Sequence, residues 1–168
     1  GFTVLAMPTL SSASPNQAVQ GQTLSVTITG TNLSGVTSVG FGSGITVNSF
    51  VVNSNSSVTA TVPPGVSTGP LAVQTPAGTA TSTGLFYGAP LISGFAPTQG
   101  APGTNVVIQG TNLLGTRAVR FNGLAGAIAL VENGRILTTV PQGASTGPIT
   151  VEAPAGTNTS STHFVVEY

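Results

Sequence analysis

Three Arg, three Glu and one His carry almost all of the acid–base chemistry this chain of 168 residues could perform near neutral pH. They are Arg117, Arg120, Arg135, Glu132, Glu152, Glu167 and His163. A hydrolytic carboxylate pair would have to come from the three Glu. Glu132 precedes Asn133-Gly134, a hairpin-turn dipeptide, and reads as a solvated turn charge. Glu152 alternates with the apolar Val151, which turns it toward water, and Glu167 lies beside the C-terminus. A Ser-His-acid or metal reading of His163 needs partners in a formed pocket. The period-two pattern instead puts Phe164 and Val166 inward and His163 outward. The chain has no Asp to bind calcium in the way surface arrays use it. It has no Lys for an intramolecular Lys–Asn crosslink. It has no Cys, which excludes disulfides and thiolate metal sites. The expectation is a non-enzyme, with no catalytic, cofactor-binding or metal site.

Charged residues amount to 4% of the chain, against about 25% in ordinary domains. The formal net charge is zero, which disfavours a duplex-binding role because that needs several phosphate-neutralising cations. Carbohydrate binding usually relies on exposed aromatic platforms, and the chain has no Trp and two Tyr, Tyr87 and Tyr168. Most of the Phe fall at strand positions and read as core. Asn32-Leu33-Ser34, Asn55-Ser56-Ser57 and Asn158-Thr159-Ser160 match the glycosylation acceptor pattern. Such triplets arise readily in a chain this rich in Asn, Ser and Thr.

The elements that position these groups come in two copies. Gly30-Thr31-Asn32-Leu33 returns as Gly110-Thr111-Asn112-Leu113, each followed by a Phe (Phe41, Phe121), a Val-Pro and a Ser-Thr-Gly-Pro. Self-similarity of this kind marks repeated modules. The offset is 82 at Pro15/Pro97, 80 at Gly30/Gly110 and 78 at Pro63/Pro141. The second copy therefore loses two residues twice, one loss falling between Gly21 and Gly30 and read as lying in the strand itself. A loss of two keeps every side chain on its own face.

Within each copy the apolar residues alternate. Leu24, Val26 and Ile28 form a half-buried strand; Val39 and Phe41, Val58, Ala60 and Val62, and Leu71 and Val73 form others. The phase changes between Val47 and Phe50, predicting a bulge or bend. About seven short strands per copy, with turn signals between them and no helical stretch, predict an all-β fold of two tandem β-sandwiches. The boundaries read as 8–89 and 90–168. Residues 1–7, with Phe2 and Val4 on one face, read as the last strand of a preceding module or as a donor strand, with a disordered or vector-derived leader as the alternative. The short Gly88-Ala89-Pro90 junction predicts a semi-rigid, end-to-end rod. No apolar run is long enough to span a bilayer as a helix.

These residues resemble the IPT/TIG family of immunoglobulin-like domains, of the bacterial surface or secreted type. The second copy carries the pattern best, from Pro90, Ile92, Phe95, Pro97, Gly100 and Gly103 into Val107-Ile108-Gln109-Gly110-Thr111-Asn112-Leu113, then Val119-Arg120-Phe121-Asn122-Gly123 and Gly147-Pro148-Ile149-Thr150-Val151. The first departs from it at Phe41-Gly42-Ser43-Gly44, where the Phe-Asn-Gly turn is altered. The resemblance implies the immunoglobulin-like fold more than a function, because the family serves surface arrays, receptor ectodomains, enzyme accessory modules and transcription factors.

The expected role is a structural module of an extracellular or cell-surface protein: a stalk, fibre, filament or adhesive scaffold. Its partners would be copies of itself or adjacent modules, with strand donation through Phe2 and Val4. The alternative is an accessory carbohydrate-binding or spacer module of a secreted polysaccharide-degrading enzyme, with surface glycans as partner. The Gly-Thr-Asn-Leu repeat reads as a corner, with Asn32 and Asn112 fixing the following turn and Leu33 and Leu113 returning to the core.

Overall fold

The computed structural model describes residues 1–42 and 44–168. Ser43, and with it the centre of the altered turn, lies outside the described residues. The chain divides into two compact units, Gly1–Gly88 and Ala89–Tyr168, here module 1 and module 2. Both are all-β immunoglobulin-like sandwiches, and no helix occurs among the described residues.

Module 1 contains β1 (Thr9–Ser14), β2 (Leu24–Thr31), β3 (Ser38–Phe41), β4 (Ile45–Val47), β5 (Phe50–Ser54), β6 (Ser57–Val62), β7 (Gly69–Thr75) and β8 (Gly78–Phe86). They form two four-stranded sheets, ordered β1-β2-β6-β5 and β4-β3-β7-β8. Alternation decides what each strand buries. Val26 and Ile28 are fully buried, and β2 pairs with β6 so that Val26 lies opposite Ala60 and Ile28 opposite Val58. The intervening Ser and Thr are solvated, the arrangement expected when one sheet face meets the core and the other meets water.

Module 2 contains β9 (Leu91–Ala96), β10 (Gln99–Gly100), β11 (Asn105–Thr111), β12 (Ala118–Phe121), β13 (Leu124–Val131), β14 (Arg135–Thr139), β15 (Gly147–Ala153) and β16 (Gly156–Val166). Much of the core repeats, with Thr138 standing where module 1 has Ala60. Phe41 meets Phe86 edge to face at 5.1 Å, and Phe121 meets Phe164 the same way at 5.3 Å, a geometry that the ring quadrupoles favour. The strand alignment also corrects the reading of the first two-residue loss. Val26 and Ile28 match Val106 and Ile108 at a constant spacing, all four fully buried. The residues are therefore lost from the turn after Gly21 and the start of β2, not from the buried alternation.

The modules differ in how the chain crosses between sheets. In module 1 the chain leaves β4, which pairs with β3, and enters β5, which pairs with β6 in the other sheet. The phase change between Val47 and Phe50 marks this crossing. In module 2 the same crossing is one unbroken strand: β13 pairs with β12 through residues 124–126 and with β14 through 127–131. All eight strands of module 2 therefore join in one wrapped sheet.

The first strand of each module approaches the second too closely for a side chain at one point. A Cβ on Gly30 would lie 1.9 Å from the Thr9 carbonyl oxygen, and one on Gly110 would lie 2.0 Å from that of Leu91. The pairing slips register beside both glycines. Gly110→Ala should lower the stability of module 2 by about 1–3 kcal/mol, because the obstacle is backbone that must move. In thermal unfolding one transition should shift while that of module 1 stays. Gly94→Ala, where nothing lies within 4 Å of the added carbon, should stay within about 0.5 kcal/mol of the parent.

Candidate functional site

The charged groups are dispersed: Arg117 precedes β12, Glu132 lies in the β13–β14 turn and Glu167 follows β16. Arg120 on β12 reaches Glu152 on β15 at 2.7 Å, both side chains partly exposed. Arg135 reaches Glu132 at 2.6 Å across the β13–β14 hairpin, more exposed still. That carboxylate, through its hydrogen bond and its charge, holds the Arg135 guanidinium above its ordinary range. Glu167 accepts a hydrogen bond from Gln99 at 2.8 Å. His163 is exposed on β16 opposite Pro148. Pairs this exposed contribute little to stability, because water and salt screen them. The three Glu are not brought together, and the described residues hold no cluster of His, Cys, Asp or Glu suited to a metal ion.

The Gly-Thr-Asn-Leu corner does more than turn the chain. Asn32 and Asn112 both adopt left-handed backbone with φ 57°, a conformation asparagine tolerates better than other side chains do. Their amides make a longer reach than the following turn. They reach back to the segment entering the module: Asn32 Nδ2 donates to the Met7 carbonyl and Asn112 Nδ2 to that of Ala89, each at 2.9 Å. Leu33 and Leu113 are fully buried, and their backbone N–H groups donate to Asn55 and Asn133. The corner thus ties three segments: the incoming chain, the second strand and the β5–β6 or β13–β14 hairpin.

Residues 1–7 form no strand within module 1. Phe2 is 96% exposed and Val4 79%, with Leu5 and Met7 more than half exposed. Beneath Leu5 and Ala6 lies a depression of about 170 Å³ lined by Asn32, Ser34, Asn55 and Pro76. A second, of about 310 Å³, opens at the β4–β5 crossing, lined by Val47, Asn48, Ser49 and Thr61. Neither carries a charged or aromatic side chain. No helix of the described residues is long and apolar enough to cross a membrane.

The outer face of the β1-β2-β6-β5 sheet is a hydroxyl surface. Ser14, Thr27 and Thr59 lie side by side across three strands, as do Ser12, Thr29 and Ser57. The equivalent positions of module 2 include Val107 opposite Leu137, so the two modules present different faces from the same plan. Single-sequence pattern reading could not show this, since register rather than composition aligns the hydroxyls.

The model of the IPT/TIG domain family matches twice, over residues 8–87 and 90–168. Among curated proteins no match was found. Among solved structures, the Plexin A4 extracellular region is similar at 19% identity with a TM-score of 0.48, over 96% of this chain and 18% of that one. SGBP-B from a xyloglucan utilization locus of Bacteroides uniformis is similar at 18% identity and a TM-score of 0.45, over 95% and 50%. A surface glycan-binding protein of Prevotella bryantii matches at 18% and 0.46, over 96% and 43%. This chain thus spans half or less of the length of each.

The clamp predicts a graded response. Asn112→Ala should destabilise module 2 by about 2 kcal/mol, combining left-handed strain with the lost hydrogen bond. Asn112→Gly keeps the backbone geometry and loses the side-chain bonding, so about half of that should return. Chemical denaturation of the three proteins separates the contributions. Equal losses in Ala and Gly would show that the backbone angle has no part in the effect.

Proposed function

The chain belongs to the IPT/TIG family through both of its modules, and from there we propose that it is a non-catalytic structural module of an extracellular or cell-surface protein, part of a stalk, fibre or adhesive scaffold. Under this reading residues 8–89 and 90–168 are the structural repeats and residues 1–7 the connecting or donated segment. The observation that carries it is the apolar segment at residues 1–7, which pairs with no strand of module 1 and leaves Phe2 and Val4 exposed, on a chain of zero net charge. Exposed apolar side chains seek a partner, and the lack of net charge removes the repulsion that keeps molecules apart. Strand addition to a sheet edge on a neighbouring copy would pair the backbone of residues 1–7 and bury Phe2 and Val4.

A second reading, glycan binding by an accessory module of a polysaccharide-degrading enzyme, is favoured by the hydroxyl face around Thr27, Thr29 and Thr59. Neutral hydroxyls in register suit a neutral, hydroxyl-rich partner. Retention on an insoluble polysaccharide, lost in a Thr27→Val/Thr59→Val double variant, would support it.

The structural reading makes a direct prediction. Deleting residues 1–7, or replacing Phe2 and Val4 by Ser, should abolish assembly seen by electron microscopy and light scattering while both thermal transitions persist. A protein that stays monomeric with the segment intact, or assembles without it, refutes strand donation.

A further inference from the structure

We propose that each module is a load-bearing element whose resistance to tension resides in a short parallel pairing between its incoming and outgoing segments. In module 1, Tyr87 N–H donates to the Asn16 carbonyl at 3.0 Å and Ala18 N–H to the Tyr87 carbonyl at 2.8 Å. In module 2, Val165 N–H donates to Thr98 at 3.0 Å and Glu167 N–H to Gly100 at 3.1 Å. Gln17 and Tyr87 pair in parallel, as do β10 and β16; the other strand pairings are antiparallel.

The direction of pairing decides how force acts. A chain under tension pulls the incoming segment toward its N-terminal side and the outgoing one toward its C-terminal side. Parallel neighbours pulled this way slide along each other, so the bonds between them are loaded together. Antiparallel neighbours pulled from one open end part bond by bond. The outgoing segment is also held from its other side. Thr68 Oγ1 accepts from Gly88 N–H at 3.0 Å and Thr146 Oγ1 from Val166 N–H at 2.9 Å, which gives the repeated Ser-Thr-Gly-Pro a task. In module 2 the Gln99–Glu167 side-chain bond spans the same pair. Upstream, the Asn clamp ties the incoming segment at Met7 and Ala89.

The inference rests on the structural reading of the chain but is tested on the isolated molecule, so the two can fail separately. The whole cysteine-free chain is pulled by its ends, through cysteines added beyond residues 1 and 168, in single-molecule force spectroscopy. Glu167→Pro removes the N–H that bonds Gly100. Thr138→Val removes a buried hydrogen bond to Ala127 inside the sandwich and serves as the comparison. Both should lower the melting temperature of module 2. Only Glu167→Pro, which also removes the carboxylate that accepts from Gln99, should weaken one of the two rupture events, raising the unfolding rate at fixed load at least about fivefold, the effect of losing one hydrogen bond or more. Thr68→Val should weaken the other event alone, and it carries the test if Glu167→Pro prevents module 2 from folding. Rupture forces that simply follow melting temperature across all three variants, or that ignore Glu167→Pro and Thr68→Val, would overturn the proposal.

Discussion

Everything in either module hangs on how closely its first strand can lie against its second. At Gly30 and Gly110 the backbones approach to a distance no Cβ would survive, and the pairing shifts register there. The next residues depend on that approach. Thr9 and Thr31 share a hydroxyl bond at 2.7 Å, Asn32 turns left-handed and catches the incoming carbonyl, and Leu33 drops into the core. Without the close approach the Asn amide would have no carbonyl to reach, and the hairpin that Leu33 bonds would lose its tie. One constraint on a backbone distance thus selects Gly, Asn and Leu in both modules, while the hydroxyl bond belongs to module 1, since Leu91 stands opposite Thr111.

Much of the fold was legible because burial here is written in period two. Val26, Ile28, Val58, Ala60, Val62, Leu71 and Val73 are buried as their alternation predicts, and the phase change after Val47 marks the crossing between sheets. The strands that escaped notice are those without a period-two contrast. The first half of β8, from Gly78, alternates Thr with a single buried Ala80. β13 is apolar almost throughout, Leu-Ala-Gly-Ala-Ile-Ala-Leu-Val, and its two halves serve different sheets. The role of Asn112 was half legible: the turn is in the sequence, but its partner Ala89 is 23 positions away and only the folded chain brings it near.

The charged residues were read rightly as surface groups, yet the reading could not pair them. Arg120 and Glu152 are neighbours because β12 and β15 lie side by side in register. The same two positions in module 1 are Gly40 and Gln74, on the paired strands β3 and β7. One scaffold thus carries an ion pair in one copy and a neutral, nearly flat patch in the other. The fold tolerates both because these side chains stand on the outer face, where the core makes no demand.

The crossing strand has a consequence for counting. Module 2 carries its chain from sheet to sheet without a break and keeps free edges only at β9 and β10, whereas module 1 also leaves β4 and β5 unpaired along one side. If copies join by adding a strand at that side, module 1 alone receives and residues 1–7 give, so every join carries a direction from giver to receiver.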